Sequence, residues 1–296
     1  MTNSANSDKK ATMFALTATF FWSTVASAFK IGLESLSPTL FLCLVIIIAW
    51  VTLSVALYFS SSNLKNISAK QYKMSIFGGF LNPFLYYLIL FTAYERLPAQ
   101  IAQSLNYTWP IVLVLFSALF LGQKLKPMSL PGMGLSFFGV VIISYGGMNS
   151  ELQTDFLGMG LAIGSSLIWA GYWIINKKST LSPLPQIWIN FSTGTLLIIL
   201  YTLFTEPISG LSLTGILAAT YSGLFEMAIT FILWLKALQL ASKSEKISHY
   251  IFLSPFLSLI FIYLILKEPI LATTIWGLLF IVAGIVIVEY SNASKK

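Results

Sequence analysis

Apolar residues run along this chain in uncharged stretches of about twenty, too long and too unbroken for the one-sided helices and strands of a soluble fold. A helix rises about 1.5 Å per residue, so about twenty apolar residues cross a hydrocarbon core of about 30 Å with every backbone group bonded internally. Ten such stretches fit within the 296 residues, near 12–33, 39–59, 74–94, 97–121, 128–148, 156–176, 183–205, 213–235, 247–266 and 270–288. The pattern predicts an all-α membrane protein of ten transmembrane helices with short loops. The polar leader Met1 to Lys10 runs into a full-length span, not into the short apolar stretch of a cleavable signal, so the first helix is expected to stay.

The pattern also repeats. Ser37-Pro38 pairs with Ser182-Pro183, Pro110 with Pro255, Gln123 with Glu268, Gly132 with Gly277 and Gly139 with Gly284, all at an offset of 145 residues. Five spans per half is an odd number, so the second copy must enter the membrane with opposite orientation. The expected organisation is a leader over 1–11, a first five-helix repeat over 12–148, a linker over 149–155, a second, inverted repeat over 156–290 and a tail over 291–296. Inverted repeats of this kind build secondary transporters, whose site lies near the midplane at the repeat interface and opens to either side in turn.

Charge supports the topology. The chain is 57% hydrophobic and 9% charged, with a formal net charge of +7, which in a soluble protein would raise the question of nucleic acid. With the N-terminus inside, the inner segments hold Lys9, Lys10, Lys65, Lys70, Lys73, Lys124, Lys126, Lys177, Lys178, Lys236, Lys243, Lys246, Lys295 and Lys296, which is 14 of the 17 cations. That is the positive-inside distribution, with both termini cytoplasmic, and it argues against a nucleic-acid partner. Sixteen lysines against one arginine fit an AT-rich microbial genome, so a bacterial inner membrane is the expected location. The single Cys43 lies inside a span and excludes an internal disulfide.

The residues also resemble a known family. A proline in the fourth span of each half, followed by a Gly-Glu-like turn, here Pro110 with Gly122-Gln123 and Pro255 with Lys267-Glu268, is similar to the ten-span EamA-type carriers of the drug/metabolite transporter superfamily. Gln123 stands where the family usually has Glu, and Lys267 where it usually has Gly. Asn106-Tyr107-Thr108-Trp109-Pro110, Phe21-Trp22-Ser23-Thr24 and Ile168-Trp169-Ala170-Gly171-Tyr172 most resemble the aromatic amino acid exporters. That resemblance implies a central cavity lined by Tyr107, Trp109 and Trp169.

Other candidates follow from physical chemistry. Pro110 lacks an N–H, so carbonyls around Asn106 lose their partner in mid-span, which is tolerable only beside protein or water. Trp22, Tyr86, Trp173 and Phe252 lie on the spans that bear the break and their symmetry partners, and rings there would suit flat or apolar substrates. Glu226 sits near the centre of the eighth span, where an ionised carboxylate costs about 2.5 kcal/mol or more and by default marks an ion or substrate path. His249, the sole histidine, could relay protons near neutral pH. The bland readings are interhelical hydrogen bonding for the polar groups and lipid-facing bulk for the rings.

The expectation is a secondary transporter of small metabolites, an exporter of aromatic or bulky apolar amino acids working by alternating access. The alternatives are a channel-like permease, or a carrier for nucleosides, organic cations or drugs. With no His-Glu-x-x-His, no paired intramembrane aspartates and no nucleotide-binding loop, neither enzyme nor ATP-driven pump is expected, nor any cofactor or metal. The expected partners are a small-molecule substrate and the bilayer, with the chain acting as a monomer.

Overall fold

The computed structural model describes residues 2–60, 62, 64, 67–122, 127, 129–149, 155–241 and 249–293. They form helices joined by short turns. In chain order these are α1 Thr2–Leu33, α2 Pro38–Tyr58, α3 Ala69–Arg96, α4 Ala99–Leu121, α5 Ser129–Met148, α6 Phe156–Lys178, α7 Pro183–Thr205, α8 Leu213–Leu240, α9 Tyr250–Leu266 and α10 Ala272–Ala293. The first eight are long and apolar enough to cross a membrane, while α9 and the core of α10, Ala272–Val288, are shorter apolar helices. Among the described residues the fold is all-α, with ten apolar helices, as expected of a membrane protein. Gln123, positions 150–154 of the linker and 294–296 of the tail lie outside the described residues.

The helix starts follow from the sequence. Ser37 accepts from the Leu40 N–H at 3.1 Å and Pro38 occupies the first turn, where its missing N–H costs nothing. At α7 the residue order recurs, with Ser182 at the cap position and Pro183 in the first turn, but without the side-chain capping bond. α1 is helical from Thr2, with Ser7 Oγ donating to the Leu240 carbonyl at 2.7 Å and Ala11 and Ala15 packed against Ala237.

Two compact units cut across the chain, one comprising Met1–Gly79 and Leu181–Lys267, the other Phe80–Thr180 and Glu268–Lys296. In the first unit α1 packs on α8 and α9, and α2 on α7. A reciprocal clasp joins α2 to α7: Trp50 Nε1–H donates to Ser192 Oγ and Trp188 Nε1–H to Ser54 Oγ, both at 2.9 Å. Each serine in turn donates to the carbonyl of the tryptophan on its own helix, so no indole N–H in the clasp is left bare in an apolar setting. In the second unit α5 and α10 meet backbone to backbone. A Cβ on Gly132 would stand 2.7 Å from the Gly284 carbonyl, and one on Gly277 2.7 Å from that of Gly139. The four glycines paired by the repeat are therefore the close-packing surface of two helices.

Two spans are interrupted in mid-course: α3 kinks within Phe80–Leu85, where Asn82 leaves the helical region, and α8 carries a wide turn over Gly223–Ala228. Such single-turn bulges cluster at functional positions. In α3 the cause is local: Asn82 precedes Pro83, whose ring disfavours helical backbone before it, and Asn82 adopts φ −146, ψ 122. The chain passes from the first unit to the second at Gly79 and Phe80, the edge of this kink.

Candidate functional site

In the second unit α4 breaks at its proline. Pro110 cannot donate to the Asn106 carbonyl, and the span divides into Ala99–Asn106 and Trp109–Leu121 with Tyr107 and Thr108 between them. Beside the break, Asn106 Nδ2–H donates to Ser165 Oγ on α6 at 2.8 Å, and Oδ1 accepts from the Tyr86 hydroxyl on α3 at 3.2 Å. Ser165 is anchored by its own bond to the Ala162 carbonyl. Thr108 Oγ1 lies 3.1 Å from Ser166 Oγ. A polar seam thus joins α3, α4 and α6 inside an apolar body. Tyr107 is buried within the break.

Trp169 follows Ser165 by one helical turn on the same face of α6. Its ring lies 4.6 Å from Tyr86 at an interplanar angle of 31°, 6.4 Å from Trp109 at 82° and 5.8 Å from Trp173 at 86°. These separations suit offset and edge-to-face ring packing. The structure therefore brings Tyr86, Asn106, Trp109, Trp169 and Trp173 into one cluster of rings around an amide, with no charged side chain among the five.

Trp22, Glu226, His249 and Phe252 belong to the first unit. Glu226 lies in the wide turn of α8 and is half-buried. Trp22 Nε1–H donates to the Glu226 carbonyl at 3.3 Å, and the Thr230 hydroxyl donates to the Phe225 carbonyl. Side chains thereby take up carbonyls that the wide turn displaces from the regular ladder. The surroundings are aromatic: Trp22 packs against Phe231 and Trp234, and Phe21 against Phe225 at 4.5 Å. Tyr221 OH and Thr24 Oγ1 lie 2.7 Å apart. Phe252 is half-buried in the turn His249–Leu253, which leads into a helix restarted at Pro255, as Pro110 restarts α4. His249 opens that turn, and its side chain lies outside the described residues.

The turn after α9 serves the site indirectly. The Glu268 carboxylate accepts from the Ala99 N–H at 3.0 Å and the Gln100 N–H at 3.3 Å, two of the donors that every helix start leaves bare. Gln100, wholly buried, donates Nε2–H to the Pro269 carbonyl at 2.8 Å and accepts from the Leu271 N–H at 2.9 Å. This clamp holds the start of the broken helix. Lys267 sits in the left-handed region at φ 56, and its repeat partner Gly122 at φ 66. At the start of α6, Asp155 caps the Gly158 N–H and pairs with Arg96 at the end of α3. Arg96 and that capping bond hold the Asp155 carboxyl below its ordinary range.

Asn82, Ser165 and Ser166 were not among the residues expected at the site. The serines carry no sequence signal beyond being polar in a span, but an Asn-Pro pair in the middle of an apolar run is a visible interruption. Among the described residues no three His, Cys, Asp or Glu gather where they could hold a metal.

Comparison with known proteins gives a consistent family. Residues 9–145 and 156–290 each match the EamA-like transporter family. The chain is 27% identical to the uncharacterized transporter YvbV of Bacillus subtilis, over 73% of this chain and 71% of that one. It is 24% identical to YoaV, an uncharacterized transporter of the same organism, over 95% and 97%. It is 30% identical to the aromatic amino acid exporter YddG of Salmonella typhimurium, over 57% of this chain and 60% of that protein. A solved crystal structure shares the fold with a TM-score of 0.68 at 20% identity, covering 94% of this chain and 96% of the other.

Proposed function

The chain belongs to the EamA-like transporter family and is an integral membrane transporter, not an enzyme; from that premise we propose that it exports an amino acid with an aromatic or bulky apolar side chain. The observation that carries this reading is the Trp169 cluster, three tryptophans and a tyrosine in contact around the Asn106 amide of a broken helix. Rings at these separations accept a further flat or apolar group at low entropic cost, and a few fixed polar atoms orient it. The likeness to an aromatic amino acid exporter supports the substrate class. Transport proceeds by alternating access, one chain exposing its site to one side of the membrane at a time.

Glu226 is the coupling group in this reading. A carboxylate in the wide turn of a membrane span must be protonated, paired or facing water, and either a proton or a substrate ammonium would change its state. The lysine distribution supports both termini being cytoplasmic, and the excess of lysine over arginine supports a bacterial inner membrane.

The test is efflux of labelled amino acids from proteoliposomes, with and without a pH gradient, for wild type, Glu226→Gln and Trp169→Ala. Tryptophan or phenylalanine should leave wild-type vesicles saturably. Trp169→Ala should suppress that flux at normal protein insertion, and Glu226→Gln should remove its pH dependence. Non-saturable flux would favour a channel, and unaltered pH dependence would remove Glu226 from the coupling.

A further inference from the structure

One polar group in the second unit is unusual. Asn82 is wholly buried, and neither its Oδ1 nor its Nδ2 finds a hydrogen-bond partner among the described residues. The Trp173 Nε1–H is likewise buried without a partner among them. A buried polar group left unpaired costs about 1–3 kcal/mol, so two such groups in one neighbourhood are poor packing unless something else meets them.

The two lie at one level of the unit. Arg96 at the end of α3 pairs with Asp155 at the start of α6, so the two helices run antiparallel. Tyr86 of α3 meets Trp169 of α6 at 4.6 Å. Moving away from the Arg96 end, α3 leads from Tyr86 to the kink at Asn82, whose segment Phe80–Leu85 packs on α6, and α6 leads from Trp169 to Trp173 one turn further on the same face. The packing of α3 on α6 continues here, because a Cβ on Gly171 would lie 4.0 Å from Leu81 Cδ1.

We propose that Asn82 and Trp173 form a head-group subsite for a zwitterionic α-amino acid, adjoining the ring cluster that takes its side chain. The inference rests on the substrate reading above and deepens it. The inventory is complementary: the Trp173 Nε1–H and Asn82 Nδ2–H are donors for a carboxylate, and Asn82 Oδ1 is an acceptor for an ammonium. None carries a charge, so a zwitterion with no net charge is matched without stranding an ion in the membrane. Asn82 is held for this role by its own sequence, since Pro83 keeps its backbone out of the helical ladder.

The experiment measures saturable tryptophan efflux from proteoliposomes for wild type, Asn82→Leu and Trp173→Phe. Tryptamine, which lacks the carboxylate, and indole-3-propionate, which lacks the ammonium, serve as competitors. Each substitution should raise the KM for tryptophan by about tenfold or more, as loss of a hydrogen bond to a charged group does. Trp173→Phe keeps a ring and removes only the donor and part of the indole. It should weaken competition by indole-3-propionate and leave that by tryptamine unchanged. An unaltered KM in Trp173→Phe, or equal weakening of both competitors, overturns the subsite while the carrier reading stands. If Asn82→Leu does not fold, Asn82→Asp replaces it, and its KM must shift too. A wild-type protein that moves no tryptophan overturns both readings together.

Discussion

Glu268→Ala tests what holds the broken span in place. The carboxylate takes the N–H groups of Ala99 and Gln100 at 3.0 and 3.3 Å, at the start of α4 and ahead of the Asn106 break. Loss of a hydrogen bond to a charged acceptor costs about 1.5–3 kcal/mol, and the favourable placement of an anion at a helix start adds about 0.3–1 kcal/mol. The side chain is half-buried, so solvent can replace part of the loss. We expect Glu268→Ala to destabilise by about 2–4 kcal/mol and Glu268→Gln, which keeps one acceptor and loses the charge, by about 1–2 kcal/mol. Unfolding in mild-detergent micelles titrated with sodium dodecyl sulfate, followed by near-ultraviolet circular dichroism, resolves such differences. An alanine variant that unfolds with the wild type would refute the clamp. Glutamine behaving as badly as alanine would refute the contribution of the retained acceptor.

Other outcomes follow from single contacts. Gly79→Ala would drive a Cβ into the Asn190 carbonyl and to 2.7 Å from Thr193 Cβ; neither can swing away, so folded yield from membranes should fall sharply. Lys267→Gly relieves a left-handed residue at φ 56 and should stabilise by about 1 kcal/mol in the same detergent titration, with an unchanged midpoint counting against backbone strain. Asp155 has its carboxyl lowered by Arg96 and the Gly158 N–H. Its contribution is therefore present above the ordinary carboxylate range and is lost as pH falls through the lower folded value. The loss is small because the pair is more than a third exposed. Melting curves taken between pH 6 and 3 should show Asp155→Asn to be less acid-sensitive than wild type; parallel curves would exclude this group.

Much of this protein is legible in its one-dimensional pattern. Span length, the 145-residue offset and the lysine distribution predict ten helices in two related halves because the bilayer permits few other solutions. The Ser-Pro starts at Ser37 and Ser182 and the breaks at Pro110 and Pro255 were readable because their causes lie within four residues along the chain. The Gly122 and Lys267 equivalence was visible too, although only the backbone shows both in the left-handed region.

What the sequence could not determine is which candidates meet. It named Tyr86, Asn106, Trp109, Trp169 and Trp173 by type and by helix, and the fold brings these five together, because α3, α4 and α6 pack in one unit. It named Trp22, Glu226 and Phe252 in the same terms, and the fold assigns them to the other unit. Asn82 passed unnoticed, since an asparagine in a span looks the same whether its amide is bonded or bare. Chain-local rules such as hydrophobic length, capping and proline geometry act over a few residues and can be read in order. Partnership between side chains far apart in sequence depends on helix register and packing, which only the tertiary structure decides.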